Sequence, residues 1–251
     1  MKVSIAWFCF AILFSSFAAA QYSKIDSTQG YENHHFKLKS LIIPTALLTY
    51  GVIGIESDAI KNVDGKIKEE VNEHIDEKFT IDDFSQYAPA LGVYGLNALG
   101  IEGKHNFKER TIILASSYIL MSSSVLGLKS IVRAERPDGS SRNSWPSGHT
   151  ATAFMGAEFL WQEYKDVSIW YGVTGYVIAA GTGAFRIYND RHWFSDVASG
   201  AAIGILSTKI GYWIYPFLND KIFHGKHREL SGMLQPFHNG RETGLALAIT
   251  F

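Results

Sequence analysis

Three polar segments interrupt an otherwise apolar part of the chain: KSIVRAERP at residues 129–137, SWPSGHT at residues 144–150 and RIYNDRHWFSD at residues 186–196. Each one lies at the edge of an apolar run. If the apolar runs pack against one another as helices, the three segments come together at their ends. The chemistry of this sequence is therefore expected where the segments meet.

The cations of these segments predict a phosphate site. Lys129, Arg136 and Arg186 would place three positive charges around one point, and the two guanidinium forks can each engage a pair of phosphate oxygens. Pro-Ser-Gly is typical of a turn that leads into a helix beginning near His149. The backbone N–H groups of residues 147–149 would then form the anion-binding end of that helix.

Two histidines complete the pattern. His192 and Asp196 are four residues apart, so on a helix they share a face and the carboxylate reaches one imidazole nitrogen. That contact fixes the tautomer and leaves the other nitrogen free to attack phosphorus. His149 is the candidate acid for the leaving oxygen. One nucleophile, one acid and a cationic cradle without metal ligands predict hydrolysis of a phosphomonoester or a pyrophosphate, with no metal and no cofactor.

In order and spacing the segments resemble the signature of the type 2 phosphatidic acid phosphatase superfamily, which includes vanadium haloperoxidases and bacterial acid phosphatases. The matching pattern is Lys, six residues, Arg-Pro; then Pro-Ser-Gly-His; then Arg, five residues, His, three residues, Asp. The resemblance implies a helical bundle and a metal-free phosphohistidine mechanism. His192 would be the nucleophile, Asp196 would orient it and His149 would protonate the leaving group. The phosphate-binding residues would be Lys129, Arg136, Ser147, Gly148 and Arg186. One position departs from the pattern: the third motif usually begins Ser-Arg, and Phe185 replaces that serine.

Several functions fit this resemblance. The leading hypothesis is a phosphatase for an envelope lipid, such as lipid A, undecaprenyl pyrophosphate or a phosphatidate. A soluble periplasmic acid phosphatase of broad specificity is the alternative, favoured by the charges of Glu158 and Lys209 within apolar segments. A vanadium haloperoxidase would use the same cradle for vanadate, but this chain is shorter than that branch usually is. A non-catalytic lipid-binding protein would be expected to lack a histidine, and both are present.

Helical patterns dominate the rest of the chain. Apolar residues recur at spacings of three and four from Ile60 to Phe79, which predicts an amphipathic surface helix. Residues 41–55, 87–101, 111–128, 150–161, 168–185 and 197–217 are apolar runs. Strict alternation from Leu245 to Phe251, after a turn at Asn239-Gly240, predicts a β-hairpin packed on the helices. The predicted fold class is an all-α bundle of about six core helices with a short C-terminal hairpin.

The first twenty residues have the pattern of an export signal. Lys2 is followed by an apolar run to Phe17 and by three alanines at 18–20. Cleavage would also remove Cys9, the only cysteine, and with it any internal disulfide or thiolate metal site. We predict a signal peptide at 1–20, an N-terminal extension at 21–40, a phosphatase domain at 41–217 and a C-terminal tail at 218–251. His34, His35, His224 and His227 lack a ligand complement and are interpreted as surface residues.

Composition favours a membrane partner over a nucleic acid. The chain has 23 Lys+Arg against 24 Asp+Glu, so it has no basic surplus for nucleic-acid phosphates. Its mean hydropathy of +0.02 lies between that of a soluble enzyme and that of a protein made mostly of membrane spans. We predict a bacterial envelope protein, associated with the inner membrane, whose active site faces the periplasm. Counting spans is in conflict with this orientation: if 41–55, 87–101 and 111–128 all crossed after a cleaved signal, residues 129–149 would be cytoplasmic.

Overall fold

The computed structural model of the chain describes residues 38–72, 80–223, 231–238 and 243–250. The signal peptide predicted at 1–20, most of the predicted extension and the four histidines interpreted as surface residues lie outside the described residues. The described part divides into two compact units, with the boundary between Trp213 and Ile214.

Eight α-helices and two strands follow a short 3-10 turn at Leu38–Leu41. The helices are α1 (Ile42–Ile53), α2 (Asp58–Asn72), α3 (Ile81–Ser85), α4 (Ala88–Ala98), α5 (Phe107–Val132), α6 (Gly148–Tyr164), α7 (Ile169–Tyr188) and α8 (Phe194–Phe223). The strands are β1 (Ser231–His238) and β2 (Thr243–Thr250). The predicted all-α class of the core is thus confirmed, with eight helices in the described residues where about six were expected.

Local sequence sets where the long helices begin and end. Asn106 and Glu109 form a capping box at the start of α5, each side chain accepting the other residue's backbone N–H. At the other end Arg133 adopts φ 51°, in the left-handed region, which turns the chain out of α5 into the first polar segment. Ser147 and Ser168 cap α6 and α7 through their hydroxyl oxygens.

Helix α6 is the centre of the bundle, because 12 of its 17 residues are buried. Two glycines let α8 cross it at close range. A Cβ on Gly204 would lie 2.3 Å from the carbonyl oxygen of Ala151, and one on Gly200 would lie 2.4 Å from that of Ser147. Only residues without a side chain fit there. The crossing brings the start of α8 against the start of α6, where two of the polar segments lie.

Small and medium apolar side chains fill the spaces around α6. One cluster joins α5, α6 and α8 through Met121, Val125, Ala151, Met155 and Ile203. A second cluster packs α6 on α7 through alanines at 153, 157 and 179. These contacts hold the ends of the helices at fixed positions, which orders the loops that carry the polar residues.

The two strands pair antiparallel, with Ser231 opposite Thr250 and His238 opposite Thr243. The turn predicted at Asn239-Gly240 lies outside the described residues. The hairpin as a folded unit, and its packing on the helices, stay predictions.

Among the described residues, α5 and the Phe194–Asp220 part of α8 are long and apolar enough to cross a membrane. Helices α1 and α2 would together make a third candidate, but they are bent from each other by 99°. Helix α4 has 11 residues, about 16 Å, which is about half of a hydrocarbon core. The helix in the segment 87–101 is therefore too short to span. The conflict with a periplasmic site arose only if 41–55, 87–101 and 111–128 all crossed the membrane, and this helix does not meet that condition. Helix α5 exposes apolar side chains including Ile119, Leu126 and Ile131.

Candidate active site

The structure brings the three polar segments together at the ends of α5, α6, α7 and α8. Two backbone hydrogen bonds hold the middle segment in place. Ser144 N–H donates to the carbonyl of Ala134 over 2.9 Å, and Ser147 N–H donates to the carbonyl of Asp196 over 3.0 Å. The loop before α6 is thereby tied to the segment after α5 and to the first turn of α8.

Lys129 and Arg136 both contact the loop residue Asn143. Lys129 Nζ donates to the backbone carbonyls of Asn143 and Ser144, the second over 3.1 Å. Arg136 Nε donates to Asn143 Oδ1 over 2.9 Å. Burial lowers the pKa of Arg136, and the neighbouring guanidinium groups of Arg186 and Arg191 lower it further. Arg136 and Arg186 therefore lie in one positively charged neighbourhood.

Ser147 and Gly148 form the N-terminus of α6. Ser147 Oγ accepts the backbone N–H of Thr150 over 3.4 Å and lies 2.9 Å from Thr150 Oγ1. The first N–H groups of an α-helix have no intrahelical acceptor, and the helix dipole favours negative charge beside them. Ser147 and Gly148 therefore lie at the helix end where the sequence predicted an anion-binding site.

His192 and Asp196 are buried and in contact, with Nδ1 of the imidazole 3.3 Å from Oδ2 of the carboxylate. The sequence placed both residues on one helix, but this was wrong: α8 begins at Phe194, so His192 precedes it. The contact still forms because Asp196 caps its own helix by accepting the N–H of Trp193 over 3.0 Å. Ser144 Oγ also donates to Asp196 Oδ2 and lies 3.5 Å from His192 Nδ1.

The environment of His192 keeps its imidazole neutral. Burial lowers the pKa of His192 to about 4, and the cations Lys129 and Arg186 act in the same direction, while Asp196 opposes them. With Nδ1 turned toward Asp196, the ring has Nε2 left for chemistry. A neutral imidazole with one nitrogen held by a carboxylate has the arrangement of an activated nucleophile.

Arg186 is held by a residue that the sequence did not single out. Its Nη1 donates to Asp82 Oδ2 on α3, and Asn189 Nδ2 donates to Asp82 Oδ1 over 3.0 Å. The Arg186 Nε is buried and has no hydrogen-bond partner among the described residues. Because buried donors are almost always paired, an anion oxygen is the natural partner for this one.

His149 also contacts α3. Its Nε2 lies 2.9 Å from Asp83 Oδ1. Burial lowers the pKa of His149 below its usual value, and so does the nearby Arg186, whereas Asp83 and Asp82 raise it. His149 is therefore placed between the acidic side chains of α3 and the cations of the site.

Asp82, Asp83 and His149 have ligand atoms within 4.8 Å of one another, a spacing that a divalent cation can use. The Arg186 guanidinium already contacts Asp82, and its positive charge disfavours a second cation at the same carboxylate. Both oxygens of the Asp82 carboxylate already accept hydrogen bonds, one from Arg186 and one from Asn189.

Residues 110–220 match the family model described as PAP2 superfamily. The matched range contains all three polar segments, and the predicted resemblance is confirmed. Asp82, Asp83 and helices α1 to α4 lie outside the PAP2 match.

Two curated relatives match parts of the chain. The lipid A 1-phosphatase of Porphyromonas gingivalis is 43% identical over 135 residues, which are 53% of this chain and 30% of that protein. The bacitracin transport permease protein BcrC of Bacillus licheniformis is 33% identical over 78 residues, 31% of this chain and 36% of that protein. The chain thus spans about a third of the length of the curated relatives it matches.

Two solved structures are also similar. Aquifex aeolicus LpxE has a TM-score of 0.45 and 25% identity, covering 59% of this chain and 93% of that one. The first transmembrane PAP2 type phosphatidylglycerolphosphate phosphatase from Bacillus subtilis has a TM-score of 0.43 and 19% identity, covering 73% of this chain and 99% of that one.

A cavity of about 450 Å³ lies beside the candidate active site. Asp196, Trp145 and Trp193 line it, together with the turn between α1 and α2 and residues that follow α5. Trp145 Nε1 donates to Ser199 Oγ over 2.8 Å, and Trp193 Nε1 donates to the carbonyl of Glu135 over 3.0 Å. The two tryptophans that flank the motifs are thus fixed walls of a space next to Asp196.

Proposed function

We propose that this protein is a metal-independent phosphatase that hydrolyses a phosphorylated envelope lipid through a phosphohistidine at His192. The proposal is carried by one combination of features: His192 is buried with its pKa lowered to about 4, and the buried Arg186 Nε has no hydrogen-bond partner among the described residues. A phosphate would supply the missing acceptor to the arginine and the electrophile to the imidazole. The PAP2 match over the same residues supports this reaction class.

In the first step, the lone pair of His192 Nε2 forms a bond to phosphorus. The bond between phosphorus and the leaving oxygen breaks, and its electrons remain on that oxygen. His149 donates a proton to it, so the leaving group departs as an alcohol or a phosphate. The imidazole, which still carries its Nδ1 proton, becomes a cation, and the Asp196 carboxylate beside Nδ1 stabilises it.

In the second step, water replaces the histidine. The now neutral His149 accepts a proton from the water as its oxygen attacks phosphorus, and the bond from phosphorus to Nε2 breaks. Inorganic phosphate leaves, and His192 returns to the neutral imidazole that its burial favours. His149 is protonated again, so both histidines end as they began.

The cations bind the phosphoryl oxygens in both steps. Arg186 offers Nε while Asp82 holds its Nη1, so the fork is oriented before the substrate arrives. Lys129 and Arg136, which both donate hydrogen bonds to Asn143, add positive charge. The N–H groups at the start of α6 complete the cradle. These groups stabilise the charge that develops on the oxygens as phosphorus passes between nitrogen and oxygen.

A lipid substrate is supported by the relatives and by the helices. A protein named lipid A 1-phosphatase is 43% identical over 135 residues, and helices α5 and α8 are apolar enough to cross a membrane. We propose lipid A as the first substrate to test, with undecaprenyl pyrophosphate and phosphatidate as the others. The proposed location is the bacterial inner membrane with the site on the periplasmic face.

The soluble acid phosphatase is the weaker candidate. Its support was the presence of Glu158 and Lys209 inside apolar segments, and the structure pairs these residues with each other. A paired charge is compatible with an apolar surrounding, so the pair does not favour a soluble protein over a membrane protein.

The test is phosphate release by the purified full chain in detergent. Lipid A, undecaprenyl pyrophosphate, phosphatidate and p-nitrophenyl phosphate are compared, each with and without vanadate. We expect lipid turnover that vanadate inhibits and that His192→Ala abolishes, while Asp166→Asn, beyond the far end of α6, keeps the wild-type rate. No release from any ester, or an undiminished rate in His192→Ala, contradicts the proposal. Faster turnover of p-nitrophenyl phosphate than of every lipid, by protein that needs no detergent, supports the soluble alternative.

A further inference from the structure

Asp83 on α3 lies against the imidazole of His149, outside the residues that match the PAP2 superfamily. We propose that Asp83 is a positioning residue: it orients the His149 ring and sustains its protonated form for proton transfer to the leaving group. The inference rests on the proposed function, because His149 is the proton donor of that reaction.

The position of Asp83 is fixed by its neighbours on α3. Asp82 binds Arg186 and Asn189 on and just after α7, and Ser85 Oγ lies 2.8 Å from Thr182 Oγ1 on α7. This five-residue helix is therefore fastened to α7 on both sides of Asp83. Because α3 is held in this way, only the side-chain torsions of Asp83 and His149 can change the 2.9 Å contact between Asp83 Oδ1 and His149 Nε2.

The contact selects the nitrogen that His149 uses. Asp83 holds Nε2, and no described residue forms a hydrogen bond with Nδ1. The nitrogen that delivers the proton is thus Nδ1. His192 has the opposite arrangement, with Nδ1 held by Asp196 and Nε2 available. The two histidines of the site are each oriented by an aspartate, one from the third polar segment and one from α3.

Among the described residues, the charged groups that shift the pKa of His149 are Asp82 and Asp83 on α3 and Arg186 on α7. Burial lowers the pKa of His149 most, and Arg186 lowers it next. Asp83 opposes both through its hydrogen bond and its charge, and Asp82 adds a smaller effect. Because Asp82 is already neutralised by Arg186, Asp83 is the acid whose removal changes His149 most. Loss of Asp83 would leave a donor that is protonated only at lower pH.

A structural brace would explain the same contact, so the test needs a readout that a brace does not affect. An alkyl alcohol is a poor leaving group and needs a proton, whereas p-nitrophenolate departs without one. Impaired positioning of an acid therefore slows phosphatidate more than p-nitrophenyl phosphate. It also moves the alkaline limb of the kcat/KM profile, which falls as His149 loses its proton, to lower pH.

The experiment compares wild type, Asp83→Asn, Asp83→Glu and Asp166→Asn on both esters across pH. For Asp83→Asn we expect at least a tenfold loss on phosphatidate, within the roughly 10²–10⁴-fold that a positioned proton donor contributes. The loss on p-nitrophenyl phosphate is expected to be several-fold smaller. Asp83→Glu should restore part of the rate, and Asp166→Asn should match wild type. Equal losses on both esters with an unmoved alkaline limb, or no loss at all, would overturn the proposal.

A titration that needs no substrate separates this proposal from the function beneath it. The ring signal of His149, assigned by its loss in His149→Gln, is followed by NMR over pH in wild type and in Asp83→Asn. A lower pKa in the variant supports the proposal, and an unchanged pKa overturns it. Failure of the wild type to hydrolyse any ester would instead overturn the proposed function, and the titration would still decide whether Asp83 controls His149.

Discussion

Glu158 on α6 and Lys209 on α8 form an ion pair inside the helical bundle, with Nζ 2.7 Å from Oε1. The carboxylate is satisfied further by Tyr176, whose hydroxyl donates to Oε2, and by Gln162, whose amide donates to Oε1 over 2.6 Å. Two charges that interrupt apolar sequence are thus one polar cluster that joins three helices. Glu158 lies in the second half of α6, whereas His149 lies in its first turn. The cluster therefore stabilises the bundle and does not contribute to the phosphate site.

Breaking this pair from one side should be costly. Lys209→Met leaves a buried carboxylate without its cation, and removal of one partner of a buried pair typically costs about 3–5 kcal/mol. The double variant Glu158→Gln/Lys209→Met removes both charges and should recover most of that loss. Thermal unfolding in detergent measures both. Equal stability of the single variant and wild type would show that the pair does not hold the helices together.

The pH dependence of kcat/KM should be bell-shaped with its maximum on the acidic side of neutrality. Burial lowers the pKa of His192 to about 4, so activity rises as that nucleophile loses its proton above this pH. Burial and Arg186 lower the pKa of His149 below 6.5, so activity falls as the acid loses its proton before neutral pH is reached. The profile is measured with phosphatidate, whose alkyl leaving group needs the proton, with the ionisation of the ester held fixed in the fit. An optimum above neutral pH would contradict these assignments.

Arg186→Lys should weaken phosphate binding although the charge is kept. The planar guanidinium group of Arg186 donates to Asp82 through Nη1 and keeps Nε available for a phosphate oxygen. A single ammonium group cannot occupy both positions. A charge-assisted hydrogen bond is worth about 1.5–3 kcal/mol, so inhibition by vanadate should weaken roughly 10–100-fold. Arg142→Lys is the matched control. The Arg142 side chain is 77% exposed, and its ion pair with Glu135 is long, with 3.9 Å between Nε and Oε2. If vanadate inhibits Arg186→Lys as strongly as wild type, Arg186 does not bind the phosphate.

The sequence predicted the parts of the site that are encoded locally. The start of α6 next to His149 and the contact of His192 with Asp196 each lie within one turn of chain, so the local sequence indicates them. The spacing of His192 and Asp196 suggested that one helix carries both, but Asp196 accepts the N–H of Trp193 at the start of α8, and a spacing of four residues does not distinguish this arrangement from a continuous helix.

The supporting residues could not be predicted, because they are distant in sequence and ordinary in local pattern. Asp82 contacts Arg186 104 positions away, and Asp83 contacts His149 66 positions away. Both occurred at the end of a charged stretch that indicated only a surface helix. Asp64 on α2 belonged to the same stretch, yet it is buried and accepts the N–H of Ser195 over 3.2 Å. Only the packing of α2 and α3 against the later helices identifies these contacts.

The central claim is that His192 carries the phosphoryl group between substrate and water. The direct measurement is a rapid alkaline quench of the enzyme during turnover of ³²P-labelled phosphatidate, followed by mass spectrometry of the labelled peptide. Alkali preserves a phosphohistidine, which is a phosphoramidate, and hydrolyses acyl phosphates. We predict label on the peptide that contains His192 in wild type, and none in His192→Ala. Label of equal amount in His192→Ala, or turnover by wild type without any labelled His192, would contradict the account.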